Sequence, residues 1–139
     1  MSQTTSLPKK ELGREEMRIV LGGMLAKHTV SAISDELSRR ILVATVSEGK
    51  TAQEVSIEQA LPLSSCYRRI RELVDQGLLV VERIVVNAEG KRYALYRSSF
   101  KTVEVFADFG EVSVSAELNA DMGGKFRQKW FCLSYPDGR

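Results

Sequence analysis

Residues 64–83 read "SSCYRRIRELVDQGLLVVER", and how this stretch folds decides the architecture around it. Turning by about 100° per residue, as an α-helix does, gathers Cys66, Ile70, Leu73 and Val74 on one side. Ser64, Arg68 and Arg71, spaced i, i+4 and i+7, fall on the opposite side, with Tyr67 and Arg69 on the flanks. Gly77 suits a left-handed C-terminal cap, and Leu78 beyond it can fold back on the core. The spacing therefore predicts a helix over about 63–76 that buries one face and turns a basic face outward. A row of arginines on a helix is most often a solvated face, so the flanking elements decide whether this one does more.

Upstream, "SDELSRRILVATVSEG" predicts a helix with Ser34 as N-cap and Asp35 and Glu36 in its first turn, where carboxylates favour the positive end of the helix dipole. Leu37, Ile41 and Ala44 form its apolar stripe, and Gly49 can end it. In "TAQEVSIEQA", Thr51 and Glu54 have the spacing of a capping box, which starts a short helix at or next to Thr51. Pro62 then breaks the chain and opens the next helix. Two helices joined by so few residues must cross steeply. Further back, Met17, Val20, Leu21, Met24 and Leu25 recur at three and four, predicting an N-terminal helix over 14–32 despite Gly22 and Gly23. Residues 1–13 are polar, aperiodic and broken by Pro8 and Gly13, and read as a mobile tail.

Downstream, "LLVVERIVVNAEGKRYALYR" holds two β-branched and aromatic runs around "NAEG", a hairpin over 79–97 whose tip and return strand are basic. A second hairpin is predicted over 99–119. There Val103 and Val105, then Val112, Val114, Ala116 and Leu118, alternate with polar residues about a turn at Asp108 to Gly110. Residues 120–139 show no clear period and are left unassigned; Trp130 and Phe131 within them read as packing residues.

At 139 residues the chain has the length of one ordinary domain, and 43% hydrophobic with 27% charged residues is the balance of a soluble globular protein. No apolar run is long enough for a membrane span, and the N-terminus has no apolar signal region, so a cytoplasmic location is expected. Cys66 and Cys132 lack CxxC spacing, and His28 has no second ligand at helical spacing; neither a disulfide framework nor a metal site is indicated. Cys66, on the apolar face, reads as a small hydrophobe rather than a redox switch. No glycine-rich phosphate loop, no histidine beside a nucleophile and no carboxylate pair suggests catalysis. Net charge is only +2, yet residues 61–101 carry eight basic against four acidic groups, whereas 102–124 carry five acidic and no basic ones. The positive excess falls on the opening helix and its hairpin, and the negative excess on the second hairpin.

Helix, capped short helix, turn, basic helix and hairpin is the order of a winged helix-turn-helix domain. The run "LPLSSCYRRIRELVDQGLLVVE", Leu61 to Glu82, resembles the recognition helix and first wing strand of archaeal regulators of the ArsR-like and MarR-like winged-helix type. Their pattern is a Ser-rich start, Tyr-Arg-Arg, Leu or Ile, Arg-Glu-Leu and Gly-Leu. The likeness covers about half the chain, from Ser34 to Arg97. Ala60 departs from it, because such proteins often place glycine at the end of the second helix. The clustered cysteines and histidines of metal-sensing members are also absent, so metal sensing is not carried over and no cofactor is implied.

The expected fold is thus α+β: a winged helix-turn-helix over 33–98, with a three-helix core and β-hairpin wing, flanked by the N-terminal helix and the second hairpin. The expected function is sequence-specific regulation of transcription through double-stranded DNA. Arg68 and Arg71 would reach guanine edges or phosphates in the major groove, and Ser64, Ser65 and Tyr67 would donate to phosphate, with Arg69 beside them. Lys91 and Arg92 at the hairpin tip would meet the flanking backbone or minor groove. A homodimer is expected, paired through the N-terminal helix face or, failing that, through the outer edge of the second hairpin. Two rival readings remain open. One is a winged-helix module that docks on a protein of the transcription machinery through its acidic hairpin. The other is a ligand-sensing regulator whose effector site lies between the N-terminal helix and the C-terminal region.

Overall fold

In a computed structural model, residues 18–119 are described. The described chain is α+β, with four helices and two antiparallel sheets: β1 (Arg18–Leu21), α1 (Gly23–Ser34), α2 (Glu36–Ala44), α3 (Ala52–Gln59), α4 (Leu63–Asp75), β2 (Leu79–Val86), β3 (Arg92–Ser98), β4 (Phe100–Asp108) and β5 (Glu111–Leu118). The expected tail and the unassigned segment lie outside the described residues, as do Met17, Trp130, Phe131 and Cys132.

The N-terminal helix is shorter than its apolar spacing suggested. Residues 18–21 form a strand that pairs antiparallel with β5, Arg18 opposite Glu117 and Leu21 opposite Val114. Ile19 and Val20 are β-branched and favour a pleated surface. Gly22 is extended and Gly23 has φ +56°, so the glycine pair turns strand into helix instead of merely weakening a continuous one. This split also undoes the single apolar face expected for pairing two chains: Leu21 and Leu25 are buried in the core, whereas Val20 and Met24 are exposed. β1 pairs along the otherwise open edge of β5, which makes β5 the central strand, with β1 and β4 as the outer strands on its two sides.

α2 is capped by Asp35, not Ser34. The Asp35 carboxylate accepts from the Ser38 backbone N–H at 2.9 Å and the Ser38 hydroxyl at 2.8 Å, while the Ser34 hydroxyl donates back to the Val30 carbonyl. The helix ends at Ala44, before Gly49, which instead sits under the Glu82 carboxylate. α3 opens on the expected capping box, with Thr51 and Glu54 each satisfying the other's backbone N–H. It closes through paired bonds from Leu61 to Ser56 and from Ala60 to Ile57, with Ala60 left-handed at φ +55°. α4 closes in the same way, through Leu78 to Leu73 and Gly77 to Val74, with Gly77 at φ +86°.

β2 and β3 form the basic hairpin. Its four-residue turn is held by Asn87, whose side-chain oxygen accepts from the Glu89 and Lys91 amides at 2.8 and 2.9 Å. A lone rung between Lys50 and Tyr96 adds a third partner to this sheet. β3 runs into β4 through Ser99 alone, crossing from one sheet to the other. The core is one cluster reaching from Ile41, Val55, Ile70 and Leu73 in the helices, through Leu79, to Val114 and Ala116 of β5. Each of the valine, leucine and isoleucine side chains contributes about 1.5–3 kcal/mol on leaving water. The basic helix and the acidic hairpin are therefore supported by a shared interior.

Candidate nucleic-acid interface

α4 is amphipathic as its spacing required. Cys66, Ile70 and Leu73 are buried, Val74 is half-buried, and Ser64, Tyr67, Arg68 and Arg71 are exposed. Burial pushes the Cys66 thiol above its ordinary pKa, which keeps it protonated and unreactive. Ser65 is half-buried at the edge of the exposed face. Arg69 is turned away from it. Its guanidinium lies 3.2 Å from the Asp35 carboxylate, 3.6 Å from Glu72 and 3.4 Å from the Ser38 hydroxyl, tying α4 to the start of α2. The Asp35 carboxyl is held below its usual range, first by the Ser38 backbone N–H, then by the Ser38 hydroxyl, with Arg69 and Arg39 adding smaller pulls. The charge of Arg69 is thus largely spent inside the protein.

The exposed face of α4 adjoins the hairpin. Burial raises the pKa of Tyr96 on β3; the Tyr67 phenol raises it further and the Arg71 guanidinium lowers it, which puts both α4 side chains within electrostatic reach of that strand. Residues two apart on a strand share a face, which puts Ala94 and Arg92 on the side of Tyr96. Across the hairpin, Ile84 pairs with Ala94 and Val86 with Arg92, and both apolar partners are exposed. Lys91 is exposed in the turn, its ammonium 5.9 Å from the centre of the Tyr93 ring. Tyr67 and Arg71 of α4 therefore lie toward the hairpin face that carries Tyr96 and Arg92, whereas Lys91, over the Tyr93 ring, leans to the opposite face.

Two further contributors were not singled out by the sequence. Arg83, opposite Leu95 on β2, is exposed and has no carboxylate partner among the described residues. Lys50 fixes the hairpin base through backbone bonds to Tyr96 of 3.0 and 2.8 Å. Arg83 carried a signal, a cation in a basic hairpin, but the single rung at Lys50 has no periodicity to read. Conversely, Arg97 is withdrawn from the basic surface. It is buried, 3.1 Å from Glu82, and its Nε donates to the Val46 carbonyl. Lys101 lies beyond the hairpin, at the start of β4. Of the outward cations of this region, Arg68 and Arg71 stand on α4 and Arg92 on the hairpin face of Tyr96, while Arg83, opposite Leu95, and Lys91, over Tyr93, lie on the hairpin's other face.

No helix among the described residues is long and apolar enough to cross a membrane. No protein-family model, curated protein or solved structure matches the chain.

Proposed function

We propose that the chain is a winged helix-turn-helix regulator that binds double-stranded DNA sequence-specifically in the cytoplasm. In this reading α2, α3 and α4 are the three-helix core, α4 is the recognition helix and β2–β3 is the wing. The observation that carries it is the set of exposed donors on α4, Ser64, Tyr67, Arg68 and Arg71, beside the hairpin face that holds Tyr96 and Arg92, on elements that share one core. Such a helix fits the major groove while the wing lies on the flanking backbone. Arg69 supports the helix from behind instead of reading a base. No cofactor or catalytic step enters this reading, and a homodimer would place two recognition helices on paired half-sites.

Selection of bound duplexes from a random pool tests it. The expected product is a defined site, repeated at about 10 base pairs or a multiple if two chains bind together. Arg68→Ala should weaken binding to that site by about 1–3 kcal/mol and relax one base position. Replacing Lys91 and Arg92 together should weaken all duplexes alike and flatten the salt slope by up to about 2. Failure to enrich any site refutes the reading.

A second reading, docking on a protein, is favoured by one observation. Every residue from Glu104 to Ser113 is exposed, and Val105, Phe106, Phe109 and Val112 stand among acidic neighbours on this projecting half of β4–β5. Such a surface suits a protein partner better than a polyanion, whether that partner is a second copy or a component of the transcription machinery.

A further inference from the structure

A cavity of about 320 Å³ opens between α1, α2 and the start of β4. It is at the small end of the range that holds organic ligands, roughly 300–1,000 Å³. Its walls are aliphatic apart from one ring, formed chiefly by Ala32, Ile33, Leu42, Val46, Phe100 and Val103. The hydroxyls in the wall are already satisfied. Thr29 donates to the Leu25 carbonyl at 2.7 Å and Ser98 to the Leu42 carbonyl at 2.6 Å. The interior therefore asks for an apolar body and offers little to a polar one.

The charged side chains lining this cavity are both cations, Arg39 and Lys101, and both are exposed to solvent at its opening. One guanidinium nitrogen of Arg39 donates to the Ile33 carbonyl at 2.9 Å, and its fork forms no ion pair among the described residues, although the Asp35 carboxylate feels its charge from a distance. Lys101 forms no ion pair among them either. The neighbouring carboxylates are engaged elsewhere: Asp35 by Ser38 and Arg69, Glu117 by the Thr102 hydroxyl and Arg18. An apolar chamber with two cations at its mouth is complementary to an amphipathic anion.

We infer that this cavity binds a medium-chain aliphatic monocarboxylate, its acyl chain inside and its carboxylate between Arg39 and Lys101. The inference does not rest on the DNA reading, since it concerns binding to the protein alone. If that reading holds, the acyl chain would touch Leu78, which closes α4, and Ser98, which ends β3, so the ligand would lie against the base of both DNA-facing elements.

Calorimetric titration of the full chain with butyrate, hexanoate, octanoate and decanoate, and with 1-octanol for comparison, tests it. Saturable binding of one carboxylate per chain is expected, tightening about fourfold per methylene until the cavity is filled. Arg39→Ala with Lys101→Ala should weaken octanoate roughly 5- to 30-fold and leave octanol unchanged. Val43 lines the cavity yet is 65% exposed, so Val43→Trp should abolish binding while the melting temperature of the unliganded protein stays near that of the parent. Absence of saturable binding, an affinity indifferent to chain length, or octanoate binding that survives both variants would overturn the inference. Duplex binding, measured separately, leaves this result unaffected.

Discussion

Replacing Ala60 by glycine should stabilise the protein. α3 and α4 end in the same pair of closing hydrogen bonds, but the left-handed residue is Gly77 in one and Ala60, at φ +55°, ψ +50°, in the other. An L-residue there brings its Cβ against the following carbonyl at a cost of about 1–2 kcal/mol. Glycine removes that cost but gives back about 0.4–1 kcal/mol through its freer unfolded chain. Ala60 is exposed, so losing its methyl opens no cavity, and the conformational difference is what remains. The midpoints of these ranges leave a net gain of about 0.8 kcal/mol, a rise of about 3 °C in melting temperature for a chain of this size. Differential scanning calorimetry measures it, with Gly77→Ala as the mirror substitution that should lower the transition. If Ala60→Gly leaves the transition unchanged or lowers it while Gly77→Ala destabilises, the turn between α3 and α4 does not hold Ala60 left-handed.

Asp35→Asn keeps an N-cap but removes the charge. Because the folded pKa of Asp35 lies below 3.8, its ordinary value, the carboxylate's stabilisation is fully present above that pH and disappears as pH falls through the depressed folded value. The stability gap between parent and variant should accordingly be constant near neutrality and close below pH 3.8; a gap that persists in acid contradicts the assignment. Asn119→Ala removes the amide that donates to the Val46 and Ser98 carbonyls at 3.0 and 2.9 Å, and should cost about 2–3 kcal/mol in urea titration. A loss under about 0.5 kcal/mol would mean that water replaces the amide at these carbonyls. Gly49→Ala places a Cβ onto Glu82 Oε1 and 3.3 Å from Leu95 Cβ, where Glu82 is held by Arg97, and should destabilise by about 1–3 kcal/mol in the same assay. A neutral result would show that Glu82 is free to swing away.

What could be read from the sequence was local. The faces of α4, the Thr51–Glu54 capping box, the NAEG turn and the alternation of β4 and β5 each depend on residues within a few positions of one another. The structure reproduces the first three, and the alternation only near the core: Val103, Val114, Ala116 and Leu118 turn inward, whereas Val105 and Val112 are exposed and Glu117 is buried. The strand at 18–21 was misread because its evidence lies at the other end of the described chain, in Val114 to Glu117, and four residues with helical spacing say nothing about a distant partner. The Ser34 cap failed for a subtler reason: Ser34 and Asp35 are both good caps, and α1 continues through Ser34, leaving Asp35 as the first residue free to leave helical geometry. Among the candidate DNA contacts, Arg68 and Arg71 differ from Arg69 by one or two positions. A helical wheel puts Arg69 on a flank, but its pairing depends on where α2 starts in space. Arg97 likewise read as one more cation of a basic strand until the bulge at Glu82 and the loop at Val46 closed around it.

The junction between the two sheets explains how a hairpin one residue removed from another can hold its own orientation. At Ser99 the chain leaves one sheet for the other, and the polar groups around this crossing are matched across elements. The Ser98 amide donates to the Thr45 carbonyl at the end of α2, and the Ser99 amide to the Leu78 carbonyl beyond α4. The Ser99 hydroxyl donates to the Gly77 carbonyl, and the Asn119 amide at the end of β5 reaches the Ser99 carbonyl. Breaking such a buried set strands several donors and acceptors at about 1–3 kcal/mol each, so the hairpin base cannot pivot without a cost comparable to local unfolding. The constraint weakens beyond the Glu82–Arg97 pair. From Arg83 outward to Arg92 the hairpin has mostly exposed or half-buried side chains, and its bonds are those of a two-stranded ladder. α4 and the hairpin base therefore form a preset surface, and conformational freedom is concentrated at the tip, so Lys91 and Arg92 can shift without disturbing the placement of Arg68 and Arg71 on α4.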